Sequence, residues 1–460
     1  MSRILLIKSG NLTRLNYAVT FPLGIMYIAS VLKNNGHEVK IVDTRLYKKM
    51  PDFKKIINDF EPQIAGLSAL TIESEKMHQI AREIKKVNNK IKIIAGGPHP
   101  TSYPEDTLKN DAIDFVVSGE GERTIIDLIS SLNNGYHNIP GICYRNGTIR
   151  KTGEREPINN LDELPFPAWD LVDINKYSRR LSMSMVGFRR YMGIFTSRAC
   201  PYRCIYCHKM FGKRFRARSP ENVISEIEML VRNYGINDFE IYDDIFNFNR
   251  ARTEKIMDLL IEKKLNVHLS FPNGLRTDLL DFALLEKMKK AGVYYISIAV
   301  ETASERLQKH IKKNLNLKKV NEMINHCAEL GIFTRGFFML GFPTETEEEL
   351  RKTIKFAIKS KLHTAYFFIV TPFKGTEMGD SIKNSENIPY RDYDYFTGYF
   401  NLSNISARKL FFYQIIAWLL FNLNPYRIYL VFRDFKRKRS MPILLARKIV
   451  DFFKSFVRGN

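Results

Sequence analysis

Cys200-Pro-Tyr-Arg-Cys204-Ile-Tyr-Cys207 gathers three of the chain's five cysteines just after the strand-like run Gly193-Ile-Phe-Thr-Ser197. Thiolates separated by three and then two residues can wrap one face of an iron–sulfur cubane, holding three irons and leaving the fourth open to a small molecule. A zinc site with His208 as fourth ligand is the weaker alternative. Zinc knuckles use paired Cys-x2-4-Cys units, and adjacent Cys207 and His208 reach one tetrahedral ion together only with difficulty. Three unrelated thiols lying together are a further alternative. Cys143 and Cys327 stand alone, so no disulfide framework is expected, and a thiolate cluster needs a reducing compartment, the cytosol.

A β/α series opens at the cysteine loop. Strands are predicted near Gly193 to Ser197, Asp238 to Tyr242, Val267 to Phe271, Tyr294 to Val300, Phe333 to Leu340 and Ala365 to Val370, with helices between them. The first helix has Ser219 as N-cap, Pro220 at its first position and Glu221 in its first turn. Six such units make a partial version of the eight-unit barrel, whose active sites lie at the carboxyl ends of its strands. Those ends carry Asp243-Asp244, Asn273, Arg276, Glu301 and Gly341-Phe-Pro343-Thr-Glu345. Singly, each has a plainer use: a helix N-cap for the Asp pair, a surface carboxylate for Glu301, a salt-bridge partner for Arg276. Jointly, at the strand ends of one barrel, they point to one site. The basic run Lys213-Arg-Phe-Arg-Ala-Arg218 either binds phosphate or fixes the cysteine loop.

On these residues, positions 190 to 380 resemble a radical S-adenosylmethionine enzyme core. The resemblance implies a [4Fe-4S] cluster on Cys200, Cys204 and Cys207, with the amine and carboxylate of S-adenosylmethionine on the open iron. It further implies Tyr206 against the adenine, Asp243 and Asp244 near the methionine amino group, and Glu301 at the ribose hydroxyls, with Asn273 and Arg276 completing the site. Gly341 to Glu345 resembles the family's Gly-Phe-Pro-Gly-Glu turn, keeping Gly341 and Pro343 but with Thr344 in place of the usual Gly.

Ahead of this region, Arg3-Ile-Leu-Leu-Ile-Lys8 reads as a buried strand and Pro22 to Lys33 as a helix ending at Asn34-Asn35-Gly36. Strands at Glu38 to Val42, Ile64 to Ser68, Ile91 to Ala95 and Phe115 to Ser118 follow, separated by helices such as Glu73 to Lys86 and Glu122 to Leu132. The alternation predicts an α/β doubly wound, Rossmann-like (flavodoxin-like) parallel sheet, with ligands beyond the carboxyl ends of its strands. Ser68-Ala-Leu-Thr71, Gly96-Gly97-Pro98-His99 and Gly119-Glu120-Gly121-Glu122 stand at those ends, where small residues let a large ligand approach the backbone. No Gly-x-Gly-x-x-Gly follows the first strand, which disfavours a dinucleotide.

The order of these features, with Pro22-Leu-Gly24 opening the first helix, resembles a cobalamin-binding domain. The best-known signature of such domains, Asp-x-His-x-x-Gly, is absent, so the resemblance implies cobalamin without a protein histidine beneath the cobalt. A loop-fixing hydrogen bond is the expected use of His99.

The expected organisation is a cobalamin-binding domain over 1–145, a linker over 146–189 marked by Asn146-Gly147, Pro157, Pro165 and Pro167, a partial barrel over 190–400, and a helical, basic tail over 401–460. Lys and Arg outnumber Asp and Glu by 71 to 49, a net +22, which indicates either an anionic partner or a lysine-rich solvated surface. Leu410 to Phe421 is too short an apolar run to span a bilayer. Arg433 to Asn460 holds nine Lys or Arg and two Asp, a net of +7. In its final helix Leu445, Ile449, Phe452, Phe453 and Phe456 share one face while Arg447, Asp451, Lys454 and Arg458 share the other, a division suited to an anionic membrane surface or to packing on the barrel. The apolar run after Met1 is too short for a signal peptide, so the expected location is cytoplasmic, peripheral to the membrane.

Together the resemblances imply a cobalamin-dependent radical S-adenosylmethionine enzyme of the class B methyltransferase type. Such an enzyme would form a 5′-deoxyadenosyl radical, take electrons from a ferredoxin or flavodoxin, and methylate an unactivated carbon of a hydrophobic, lipid-like or tetrapyrrole substrate. Radical ring formation on such a substrate and a noncatalytic cobalamin carrier or sensor are the alternatives. Nucleic acid is not an expected partner, since no appended nucleic-acid module is visible.

Overall fold

The computed structural model describes residues 1–10, 18–132, 134–184, 189–382, 390 and 401–435. The final helix predicted around Leu445 to Arg458 lies outside them. The chain forms two compact units: Met1–Arg180 with Met210–Gly212 and Ile388–Arg391, and a second made of Leu181–Lys209, Lys213–Asn387 and Asp392–Asn460.

The first unit is built on a sheet of β1 (Arg3–Lys8), β2 (Glu38–Asp43), β3 (Ile64–Ser68), β4 (Lys92–Gly96), β5 (Phe115–Val117), β6 (Ile142–Asn146) and β7 (Thr148–Lys151), in the order β2-β1-β3-β4-β5-β6-β7. The first five are mutually parallel, the doubly wound order expected from the sequence. β1 is apolar without interruption because both its faces are covered. Leu5 and Ile7 enter one core with the helices Phe53–Phe60 and Ser74–Val87, while Ile4 and Leu6 enter the other with Leu23–Asn34 and Gly121–Ser131. Part of the predicted linker extends this sheet. β6 and β7 run antiparallel around Asn146-Gly147, and Gly147 takes φ +70°, the left-handed conformation that glycine adopts without strain.

In the second unit β8 (Met192–Ile194) is followed by a short antiparallel pair, β9 (Ser197–Arg198) and β10 (Arg216–Ala217). β11 (Asp238–Ile241), β12 (His268–Leu275), β13 (Val293–Glu301), β14 (Phe333–Leu340) and β15 (Thr364–Ile369) complete a six-stranded parallel sheet in sequence order, β8 at one edge and β15 at the other. Six helices lie between successive strands, two of them between β13 and β14, and the first is capped by Ser219, whose hydroxyl accepts from Asn222 N. This is the partial barrel the alternation predicted.

Buried charge ties its amino-terminal end together. Arg189 pairs with Asp238 at 2.9 Å and Glu240 at 2.7 Å, and Glu240 also accepts from the Tyr242 hydroxyl and the Ser184 backbone. Helix Ala407–Asn422 packs on β15 and on helix Glu347–Lys359, and Pro425–Asp434 follows it. The latter is pinned by His363, whose Nδ1 accepts from Thr334 N at 3.0 Å, leaving Nε2–H to donate to Asp434 at 2.7 Å.

Candidate functional site

The cysteine loop leaves β9 at the carboxyl edge of the partial barrel. Ala199, just before it, takes φ +69°, a conformation costing a non-glycine residue about 1–2 kcal/mol, so the loop is held rather than relaxed. Asp243 does much of the holding. Its buried carboxylate accepts from the backbone N of Thr196 and from the hydroxyls of Thr196 and Ser197. The basic run also acts here: β10 pairs with β9, and Arg218 is buried against Glu226 and Asn222. Asp244 stands exposed beside Asp243. A poorly hydrated setting and the Asp243 charge push its carboxyl up to about 6.

Cys200 is half-buried, Cys204 buried and Cys207 exposed. The thiols of Cys204 and Cys207 share a hydrogen bond, which with the nearby Lys313 and Arg276 charges draws Cys204 down to about 6 while Cys207 is pushed up. Burial raises the Cys200 thiol. Among the described residues no three His, Cys, Asp or Glu side chains close on a single ion. The thiolates of a cubane need not do so, because each holds a different iron. The donor set therefore suits a cluster better than zinc.

Tyr206 and Glu301 come together from distant parts of the sequence. The Tyr206 hydroxyl donates to Glu301 Oε1 at 3.2 Å, and Lys313 Nζ meets the same oxygen at 2.9 Å. Glu301 closes β13 at φ +65°, beside a register shift against β14, a local irregularity that ends the ladder and re-aims its side chain. Asn273 is exposed and its amide donates to Tyr242 O at 2.6 Å, tying the ends of β12 and β11. The Arg276 guanidinium lies over the Tyr202 ring at 3.6 Å, donates to Asp278, and donates to Lys313 O at 2.7 Å.

In the Gly341 to Glu345 turn the Glu345 carboxylate accepts from Gly341 N and Phe342 N, and burial pushes it up to about 7. Pro343 lies between them. Thr344 takes φ +66°, the conformation that accounts for the usual glycine, and Arg306 donates to its carbonyl at 2.8 Å. Lys313 escaped the sequence reading because Lys309 to Lys319 looks like an ordinary solvated run.

At the carboxyl edge of the first unit, Ser68 and Gly96 end β3 and β4. Gly97 takes φ +86°, and a Cβ there would lie 2.5 Å from Ser68 Oγ, so only glycine fits. Pro98 begins the short helix that carries His99. His99 is fully buried, stacked on Tyr103 at 5.0 Å, with no hydrogen-bond partner on either ring nitrogen among the described residues, and burial lowers its pKa to about 4. The expected loop-fixing bond is therefore not made by the side chain; the backbone N of His99 donates to Ala69 O instead.

Pro22 is buried, while Gly24, Thr71 and Gly119 reach the surface. Glu120 accepts from Ile158 N, Glu122 is buried, and a Cβ at Gly121 would crowd Ile28. A buried polar network beside them was also not read from the sequence. Lys8 pairs with Glu73, and Asp43 takes Arg45 at 2.7 Å and the Tyr177 hydroxyl at 2.9 Å. Lys8 and Asp43 are strand-end residues of β1 and β2 whose partners lie far along the chain or on the next turn. The glycine cradle and the unpartnered imidazole fit a large ligand resting on this edge.

The family description "B12 binding domain" matches residues 16–129, and "Radical SAM superfamily" matches residues 194–357. An uncharacterized methyltransferase of Pyrococcus horikoshii is 33% identical, covering 88% of each chain. Cytidylyl-2-hydroxyethylphosphonate methyltransferase of Streptomyces wedmorensis is 28% identical over 78% of this chain and 77% of that one. In fold, the chain is similar to the radical S-adenosylmethionine methyltransferase TsrM from Kitasatospora setae, at TM-score 0.68 and 18% identity over 82% of this chain and 74% of that one.

Proposed function

The chain belongs to the cobalamin-dependent radical S-adenosylmethionine methyltransferase family, and we propose that it methylates an unactivated carbon of an apolar small molecule, lipid-like or tetrapyrrole. The observation that carries methyl transfer is the likeness to a methyltransferase over 88% of both chains, spanning both cofactor units. The cytidylyl-phosphonate named for the Streptomyces relative is polar, so substrate chemistry does not travel with the fold. An exposed apolar surface of this chain supports an apolar substrate: Phe412, Leu420, Leu423, Tyr426, Ile428, Tyr429 and Phe432, all on or between the last two described helices, are exposed.

When bound, the cluster, S-adenosylmethionine and cobalamin supply one-electron reduction, hydrogen abstraction and a transferable methyl group. The chain's part is to hold and shield. Cys200, Cys204 and Cys207 would hold three irons. Glu301 Oε2, the carboxylate oxygen opposite the Lys313 and Tyr206 bonds, would take the ribose hydroxyls, with Asp244, Asn273 and Arg276 around the methionine end. Behind Tyr206, Ile205, Leu307, Ile311, Met339 and Phe342 form an apolar wall that keeps water from a reactive intermediate. On the other unit Ser68, Thr71, Gly96, Gly97, Pro98, His99 and Gly119 would form the corrin cradle.

No single described helix is long and apolar enough to cross a membrane. The exposed aromatic and aliphatic side chains, followed by the net +7 of Arg433 to Asn460, support a peripheral location on an anionic cytoplasmic membrane surface; a ferredoxin or flavodoxin would supply the electrons.

Product mass after incubation with reductant, cobalamin, S-adenosylmethionine and candidate lipids or tetrapyrroles tests the reaction. A gain of one methylene is expected. Deoxyadenosine with loss of hydrogens from the substrate, and no added carbon, would show ring formation instead. Cys204→Ala should abolish both products, whereas an unchanged phenotype in cells would mark a noncatalytic carrier.

A further inference from the structure

Lys313 sits in a loop built to aim it. Its neighbours Lys312 and Asn314 take φ +56° and +52°, and the backbone N of Lys313 and of Asn314 both donate to Gln308 O, at 3.0 and 3.1 Å. The Gln308 side chain in turn donates to Val300 O and Thr302 O, at 2.8 and 2.7 Å, on either side of Glu301, and accepts from Leu315 N. Arg276 fixes the Lys313 carbonyl from the other side. The same loop seats the cysteine motif: Ile205 N donates to Ile311 O at 3.2 Å, and the Cys204 thiol reaches Lys312 O at 3.9 Å. Lys312 is exposed, but Lys313 is only 9% exposed, with its ammonium 2.9 Å from Glu301 Oε1 and 3.2 Å from the Tyr206 hydroxyl.

We propose that Lys313 is a positioning residue that neutralises Glu301 beside the cluster and turns one carboxylate oxygen toward S-adenosylmethionine, thereby setting both cofactor affinity and the ease of cluster reduction. This rests on the cluster and S-adenosylmethionine assignment above. Both the Lys313 and Tyr206 bonds fall on Oε1, which leaves Oε2 for a ligand hydroxyl. The pair is close to neutral as a unit. Removing the ammonium leaves a carboxylate charge near the thiolates, which opposes an incoming electron; removing the carboxylate charge instead leaves the ammonium, which favours one.

The test uses the reconstituted full-length enzyme, titrated potentiometrically with the reduced cluster followed by electron paramagnetic resonance, and S-adenosylmethionine affinity measured by equilibrium dialysis. Lys313→Met should move the cluster midpoint to more negative potential and weaken S-adenosylmethionine binding by roughly tenfold or more, as expected when one partner of a buried ion pair is deleted. Lys313→Arg, keeping the charge, should restore most of the potential. Glu301→Gln should move it to more positive potential. The double variant Lys313→Met/Glu301→Gln should return near the wild-type potential while still binding S-adenosylmethionine weakly. Should Lys313→Met not take up iron, the arginine and Glu301→Gln arms decide the sign. Equal potentials and affinities across the set, or shifts of one sign for both single variants, would overturn the proposal. A wild-type chain that takes up no cluster overturns it together with the reading it rests on. A clustered enzyme that shows the expected shifts, negative for Lys313→Met and positive for Glu301→Gln, but no methylated product supports Lys313 and removes only methyl transfer.

Discussion

The carboxyl edges of the two units are built from opposite materials. The barrel edge is made of charged side chains held by polar partners: Asp243 by Thr196 and Ser197, Glu301 by Lys313 and Tyr206, Arg276 by Asp278. The first unit's edge is made of small residues and backbone, with Gly97 at positive φ and His99 buried without a partner. The difference follows the ligands each would take. A small, charged, chelating molecule is gripped by ions and hydrogen bonds, whereas a broad macrocycle needs a flat surface from which side chains have been removed.

Removing a charge should therefore hurt the barrel unit most. Asp243→Leu, which strips the Thr196 backbone N and the Thr196 and Ser197 hydroxyls of their common acceptor, should lower stability by about 3–5 kcal/mol in denaturant melts. A loss under about 1 kcal/mol would break the contrast by showing that the network is dispensable. Adding bulk should hurt the other unit. Gly97→Ala combines a strained φ with a Cβ 2.5 Å from Ser68 Oγ, so a loss of roughly 2–3 kcal/mol and weaker cobalamin retention on gel filtration are expected.

His99 sharpens the comparison through pH. Burial depresses its pKa from 6.5 to about 4, so the stability it permits is complete above the ordinary value and is lost as the pH falls toward the depressed one. Between pH 7 and 4, wild type should lose roughly 2–3 kcal/mol more than His99→Phe, measured by urea unfolding at each pH. Equal losses would mean that the imidazole is already solvated. The smallest effect is expected at Thr344. Thr344→Gly relieves a left-handed β-branched residue and should stabilise by up to about 1 kcal/mol, less what glycine's greater freedom in the unfolded chain takes back.

Legibility differed between the edges for the same reason. The cysteine spacing is local and chemical, so Cys200, Cys204 and Cys207 were readable at once, Tyr206 was read from its place within their loop, and Glu301 and Arg276 followed from their places at predicted strand ends. Lys313 did not, because nothing in Lys309 to Lys319 separates the one buried lysine from its solvated neighbours. In the first unit the small residues at the strand ends were readable, whereas the bond from Ile158 N to Glu120 and the packing of Ile28 against Gly121 were not. Lys8, Asp43, Arg45 and Glu73 look like strand ends and loop charges, and form a buried network instead.

The sequence by itself determined the two α/β units, because uninterrupted apolar strands alternating with amphipathic helices have few other ways to bury both faces of a sheet. It also determined the metal chemistry, because three thiols in one short loop are gathered by the chain itself. Only the tertiary structure decided which charges meet. Glu301 and Lys313 lie on opposite sides of a helix, Tyr206 lies far upstream, and their common point at Glu301 Oε1 exists only once the loop held by Gln308 has closed against β13.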